Sequence, residues 1–190
     1  MTERKKSEHH AANSESFRRL GAFNKVIQDQ RGPLSRAMIM GTRHGDWNGC
    51  SWIAAYNSLT LLGEETDPAD IIRSFEDRGL ILRGFFGVGP GALKRYLRSR
   101  GYETKRFFSQ KKLSAAMRDG DIAVLWGRQR KHMNFHFFVL RKQKDGFDAY
   151  NLGPERLDSV DDACKIFRVY VSYLIIRKND ETETENGQAC

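Results

Sequence analysis

The spacing of apolar positions changes character near the middle of the chain. Residues 50–62, CSWIAAYNSLTLL, are apolar on nearly every side of a helix, with the polar stretch GTRHGDWNG before them and Gly63 after. A helix apolar all round belongs at the centre of a domain, and a following glycine is the usual stop. Asp67 and Pro68 supply an N-cap and a first-turn proline for a second helix through residue 77, which Gly79 ends. A third helix is predicted over 90–99, with Gly101 as its stop.

Beyond residue 103 the period shortens. Short β-type runs at 104–108 and 122–126 flank a helix predicted over 111–118. The runs 135–141 and 147–151 flank QKDG at 143–146, a hairpin turn, and the β-branched and aromatic run 166–176 reads as a closing strand. Helices first and antiparallel strands after is an α+β pattern. With a four-residue loop at 143–146, Lys142 pairs with Phe147, His136 lies opposite Gly153, and Asn151 is its diagonal neighbour on the same face. Asp148 falls on the other face.

The 190 residues suffice for one domain and are too few for two ordinary ones. Hydrophobic residues make up 39% and charged residues 29%, which argues against disorder along most of the chain. The ends lack apolar periodicity. We therefore expect a mostly flexible basic tail over 1–30, one folded domain over 31–178, and a flexible acidic tail over 179–190. The net charge of +8 favours anionic partners, acidic peptides among them. No run approaches the roughly 18 apolar residues of a membrane helix, and the polar start lacks the apolar core of a secretion signal, so a cytoplasmic location is expected. Cys50, Cys164 and Cys190 are odd in number and widely spaced, which suggests neither a disulfide framework nor a paired metal site.

Cys50 stands where the polar loop meets the central helix, and a helix N-terminus favours a thiolate. The small neighbours Gly49 and Ser51 would let a substrate carbonyl approach backbone donors, with Trp52 beside them as a further substrate contact. A thiol nucleophile also needs an imidazole aimed by a third polar group. The hairpin offers His136 at the start of one strand and Asn151 at the end of the next. The plainer readings are a packed cysteine, a sheet histidine and a turn-forming asparagine.

The segment NGCSWIAAYNSLTLLG at 48–63, followed by HFFVL at 136–140 and then Tyr150-Asn151, resembles the double-glycine-leader (bacteriocin-processing) peptidases of the papain-like superfamily and their stand-alone relatives. The resemblance implies a Cys-led helix packed on a C-terminal antiparallel sheet. It further implies a thiolate at Cys50, a base at His136, an orienting role for Asn151, a peptide substrate and no cofactor. It also implies an oxyanion-hole donor, usually Gln, six positions before the nucleophile. His44 occupies that position, and Asn48 is a second candidate closer in sequence.

Other signals compete. The glycine-rich GFFGVGPG at 84–91 lacks the context of a phosphate loop and reads as a substrate-facing or tight connection. Lys94, Arg95, Arg98, Arg100, Lys105 and Arg106 are interleaved with Tyr96, Tyr102, Phe107 and Phe108, a pattern that binds single-stranded nucleic acid or forms a solvated face over core aromatics. The second is favoured. RQRKH at 128–132 reads as a basic loop near His136 that steers acidic substrates, and a zinc site from His44, Cys50, His132 and His136 is disfavoured by spacing. Three functions remain: a cysteine peptidase or amide hydrolase, a papain-like module that binds a peptide or acidic partner without turnover, and a nucleic-acid binder.

Overall fold

The computed structural model describes residues 1–21, 23–130, 134–153 and 155–176. Helix α1 (Glu3–Leu20) leads through a connecting segment to α2 (Pro33–Ala37), then to a small hairpin of β1 (Ile39–Met40) and β2 (Arg43–His44). The short α3 (Gly45–Asn48) runs straight into α4 (Cys50–Leu61), of which residues 51–59 are all buried. Helix α5 (Pro68–Arg78) is capped by the Asp67 side chain on Ala69 N and ends at Gly79, as the sequence predicts. A 3₁₀ turn (Ile81–Gly84) precedes α6 (Pro90–Ser99).

The second half builds an antiparallel sheet from β3 (Glu103–Phe107), β4 (Ile122–Gln129), β5 (Phe135–Gln143), β6 (Gly146–Tyr150), β7 (Arg156–Leu157) and β8 (Phe167–Ile176), with α7 (Gln110–Ala116) and α8 (Val160–Ile166) inserted. The strand order is β3-β8-β4-β5-β6-β7. Alternation divides each strand between two cores. Ile122, Val124, Phe137, Val139 and Ile175 pack with Trp52, Ile53 and Leu59 of α4 and with α5 and α6. Ala123, Leu125, Phe138, Leu140 and Leu174 face the other way, toward Leu113 of α7 and Ala163 of α8. The chain is thus an α+β fold with its Cys-led helix laid on one face of the sheet.

Two sequence expectations change. Residues 3–20 form a packed helix in place of the expected loose tail: Phe17 is 1% exposed and sits edge-on to Tyr56 of α4. Asn13, also buried, bonds Ile39 through both its amide nitrogen and oxygen. The many charged residues hide this in the sequence, because they pair across helices; Lys6 bonds Asp77, Arg73 bonds Glu3, and His9 bonds Glu76. Helix α8 is likewise additional to the expected elements, although Ser159 and Asp162 form a capping box visible in the sequence. The segment 179–190 lies outside the described residues. Among the described residues no helix is long and apolar enough to cross a membrane.

Candidate active site

Cys50 occupies the first position of α4 and is partly buried against the α4 core. Gly49 before it must be a glycine. A Cβ there would lie 2.3 Å from Gly45 O and 2.8 Å from the Trp52 indole nitrogen. The turn from α3 into α4 is therefore packed from beneath by Trp52, which fixes where the sulfur emerges. Backbone N–H groups of Phe137, Ser51 and Cys50 itself are directed at that sulfur. Burial nevertheless outweighs these donors and pushes the thiol up to about 11. Burial thus favours the thiol over the thiolate that the helix N-terminus alone suggests.

The base lies one residue from Phe137. The β5–β6 ladder keeps the predicted register, with Lys142 opposite Phe147, but it ends at Val139 opposite Tyr150. Residues 135–138 of β5 lie beyond that ladder. Asn151 leaves the strand with φ 57°, a left-handed conformation, and is buried. This turn reverses the expected contact: His136 Nε2 bonds the backbone carbonyl of Asn151 and not its side chain. The Asn151 amide instead donates to Phe137 O at 3.3 Å. A carbonyl only accepts, so Nε2 carries the proton and Nδ1 keeps its lone pair. Burial lowers the pKa of His136 below its ordinary value, and the Asn151 carbonyl offsets part of that. The imidazole is neutral at neutral pH and holds a free basic nitrogen.

Cys50, His136 and Asn151 thus converge on the Phe137 peptide: sulfur on its N–H, Asn151 amide on its C=O, and His136 preceding it. Sulfur and imidazole share no hydrogen bond among the described residues. The ring stacks on Phe167 with centroids 5.6 Å apart, and Phe167 belongs to the core on the face away from α4.

The remaining predicted residues fall into two groups. His44, on β2, is exposed, and its side chain makes no capping bond to α3. Asn48 is 3% exposed and both its N–H groups are occupied, bonding Met40 O at 2.8 Å and Gly84 O at 2.7 Å. It ties the nucleophile loop to the glycine-rich loop and has no donor left for an oxyanion. Gly49, Ser51 and Trp52 are buried, so none of them presents a surface to substrate. Their role is to shape the turn.

Sequence reasoning missed Gln28 and Gln30. Gln28 bonds Ala149 O and Asn151 N, and Gln30 donates to Asp46 O in the nucleophile loop. Both lie in the stretch read as tail, and no pattern in the sequence marks them. Of the four aromatics of the candidate nucleic-acid segment, Tyr96, Tyr102 and Phe107 are at most 9% exposed and so unable to stack on bases, which leaves Phe108, 72% exposed, as the one ring at the surface. Lys131 and His132 lie outside the described residues, and with His132 goes one member of the zinc alternative. Among the described residues no three His, Cys, Asp or Glu side chains gather as metal ligands.

No family model matches the chain, and no curated protein matches it in sequence. Among solved structures it is similar to the peptidase domain of Streptococcus ComA, a bi-functional ABC transporter involved in a quorum-sensing pathway. The TM-score is 0.52 at 10% identity, over 69% of this chain and 93% of that one. The chain has the papain-like peptidase fold. The same peptidase domain from Streptococcus mutans ComA, in complex with a small-molecule inhibitor, aligns with a TM-score of 0.38 at 11% identity, over 53% of this chain and 84% of that one. The resemblance read from the Cys50 and His136 segments therefore holds at the level of architecture.

Proposed function

We propose that the chain is a cysteine peptidase or amide hydrolase, with Cys50 as nucleophile, His136 as base and Asn151 as the group that orients the base. The observation that carries this reading is the fixed proton on His136 Nε2, which leaves Nδ1 basic beside a peptide that also binds the Cys50 sulfur. For proton transfer Nδ1 must close on the sulfur while Nε2 stays on the Asn151 carbonyl. Nδ1 then takes the thiol proton as sulfur attacks the substrate carbonyl. The C–N bond breaks, the proton passes to the departing amine, and a thioester remains for water to hydrolyse. Exposed His44 is the side-chain donor available to the oxyanion.

The substrate is a peptide or protein segment. Beside the nucleophile loop stand Trp47 and Phe86, 63% and 64% exposed, with Phe85 between them and the Arg43 guanidinium over Trp47 and Phe85. This rim suits a segment with apolar and acidic side chains.

A second reading has its own support. The high thiol pKa, the absent sulfur–imidazole bond and the occupied Asn48 donors all fit a module that holds a peptide without cleaving it. The experiment is digestion of a peptide library with wild type, Cys50→Ala and His136→Ala, with binding measured in parallel. Cleavage lost in both variants supports the peptidase. Tight binding with no cleavage by wild type supports the module.

A further inference from the structure

The connecting segment before α2 joins the nucleophile helix to the strand pair of the base. Ile27 bonds the Asn57 side chain in both directions, its N–H to Oδ1 at 2.8 Å and its C=O from Nδ2 at 2.9 Å. Asn57 is fully buried on α4, seven residues after Cys50 and so near the same face of that helix. The next residue, Gln28, reaches the other partner. Its Nε2 donates to Ala149 O at 3.3 Å and its Oε1 accepts from Asn151 N at 3.2 Å. Ala149 N is already bonded to Glu155 O, so β7 has ended where Gln28 begins. The Gln28 amide bridges the C=O of one residue and the N–H of the residue two further on, the next backbone groups along the edge that β7 leaves.

Through Asn151 this amide is linked to His136. Among the described residues Asn151 is the one buried residue outside glycine with positive φ, and that conformation aims its carbonyl at His136 Nε2. Asparagine enters the left-handed region more readily than other non-glycine residues, and here two hydrogen bonds hold it there. The amide donated to Phe137 O anchors its side chain, and Gln28 anchors its backbone.

We infer that Gln28 is a positioning residue for the reaction: by holding Asn151 N–H it keeps the Asn151 carbonyl on His136 and so maintains the imidazole with its proton on Nε2 and its lone pair on Nδ1. This role rests on the peptidase reading for its catalytic meaning, but its structural content is testable without substrate. It also gives the segment 25–30 a function as the clasp between α4 and the end of β6.

The test uses full-length protein labelled with ¹⁵N at histidine, in wild type, Gln28→Ala and Gln28→Met. Methionine keeps the bulk of the side chain and removes both hydrogen bonds, which separates bonding from packing. Ring ¹⁵N shifts of His136 should report a single Nε2–H tautomer in wild type. In both variants they should report mixed tautomers with a lower titration midpoint, while circular dichroism is unchanged. A peptide that wild type cleaves should show kcat about tenfold lower in Gln28→Met with KM within twofold. An unchanged His136 tautomer and midpoint in a folded Gln28→Met protein would overturn the inference, as would loss of the fold in both variants, which would make Gln28 a scaffold residue. If wild type shows the single tautomer but cleaves nothing, the peptidase reading falls and the positioning of His136 by Gln28 stands.

Discussion

Removing His136 should expose how poor a nucleophile Cys50 is on its own. Burial moves the thiol from 9.0 to about 11, so near neutral pH the thiolate fraction is about a hundredfold below that of an ordinary thiol. A more basic thiolate is intrinsically more nucleophilic. With a Brønsted slope of about 0.4–0.5, two units of pKa return about tenfold. In His136→Ala, alkylation of Cys50 by iodoacetamide at pH 7.5 should therefore run about tenfold slower than that of an unstructured cysteine peptide, and should climb steadily toward pH 11. Wild type should behave differently, because neutral His136 accepts the proton as the electrophile arrives. Its rate should rise as pH passes the lowered imidazole pKa, below 6.5, and then stay flat to about pH 9. At pH 7.5 it should exceed the variant at least tenfold. Site-resolved mass spectrometry after timed quenching separates Cys50 from Cys164 and Cys190. Superimposable profiles for wild type and His136→Ala across pH 5–11 would refute proton transfer between the two residues.

Other perturbations read the scaffold. The folded Cys50 thiol binds its proton more tightly than the unfolded one, so its contribution is intact below about pH 9 and is lost as pH rises toward about 11. Urea titrations of wild type and Cys50→Ala should diverge over that window by up to about 3 kcal/mol, at about 1.4 kcal/mol per unit. Asn57→Ala leaves Ile27 N–H and C=O unpaired in a partly buried position and should cost about 1–3 kcal/mol for each group, read by denaturant unfolding. Phe17→Ala should destabilise the whole domain by about 3–5 kcal/mol, and limited proteolysis of wild type should leave α1 attached to the core. Gly49→Ala pushes a methyl against Gly45 O and should impair Cys50 alkylation even where the protein stays folded.

The parts of the fold that are legible in the sequence are those where one local signal decides. The all-round apolar run 50–62 requires a central helix, Asp67-Pro68 and Gly79 bound α5, and the hairpin residues set the pairing of Lys142 with Phe147. Helix α1 is not legible because its support is long-range: Asn13 on Ile39 and Lys6 on Asp77 leave no periodic trace. The site shows the same division. Cys50 and His136 stand out by their places at a helix start and a strand start. Asn151 is identified with the wrong contacting atom, since extending the ladder past Tyr150 assumes extended backbone where the chain turns left-handed. Gln28 is invisible, because a side-chain amide bridging two backbone groups has no sequence signature.

The proposed chemistry requires the Cys50 sulfur to form a covalent acyl bond with a substrate peptide. Intact-mass spectrometry of rapidly quenched single-turnover mixtures, using a peptide chosen from the library digestion, tests it directly. The expected result is a transient adduct equal in mass to the acyl half of the peptide, mapped to Cys50, absent in Cys50→Ala and greatly slowed in His136→Ala. Cleavage that proceeds at the wild-type rate in Cys50→Ala, with no adduct on the protein, would contradict it.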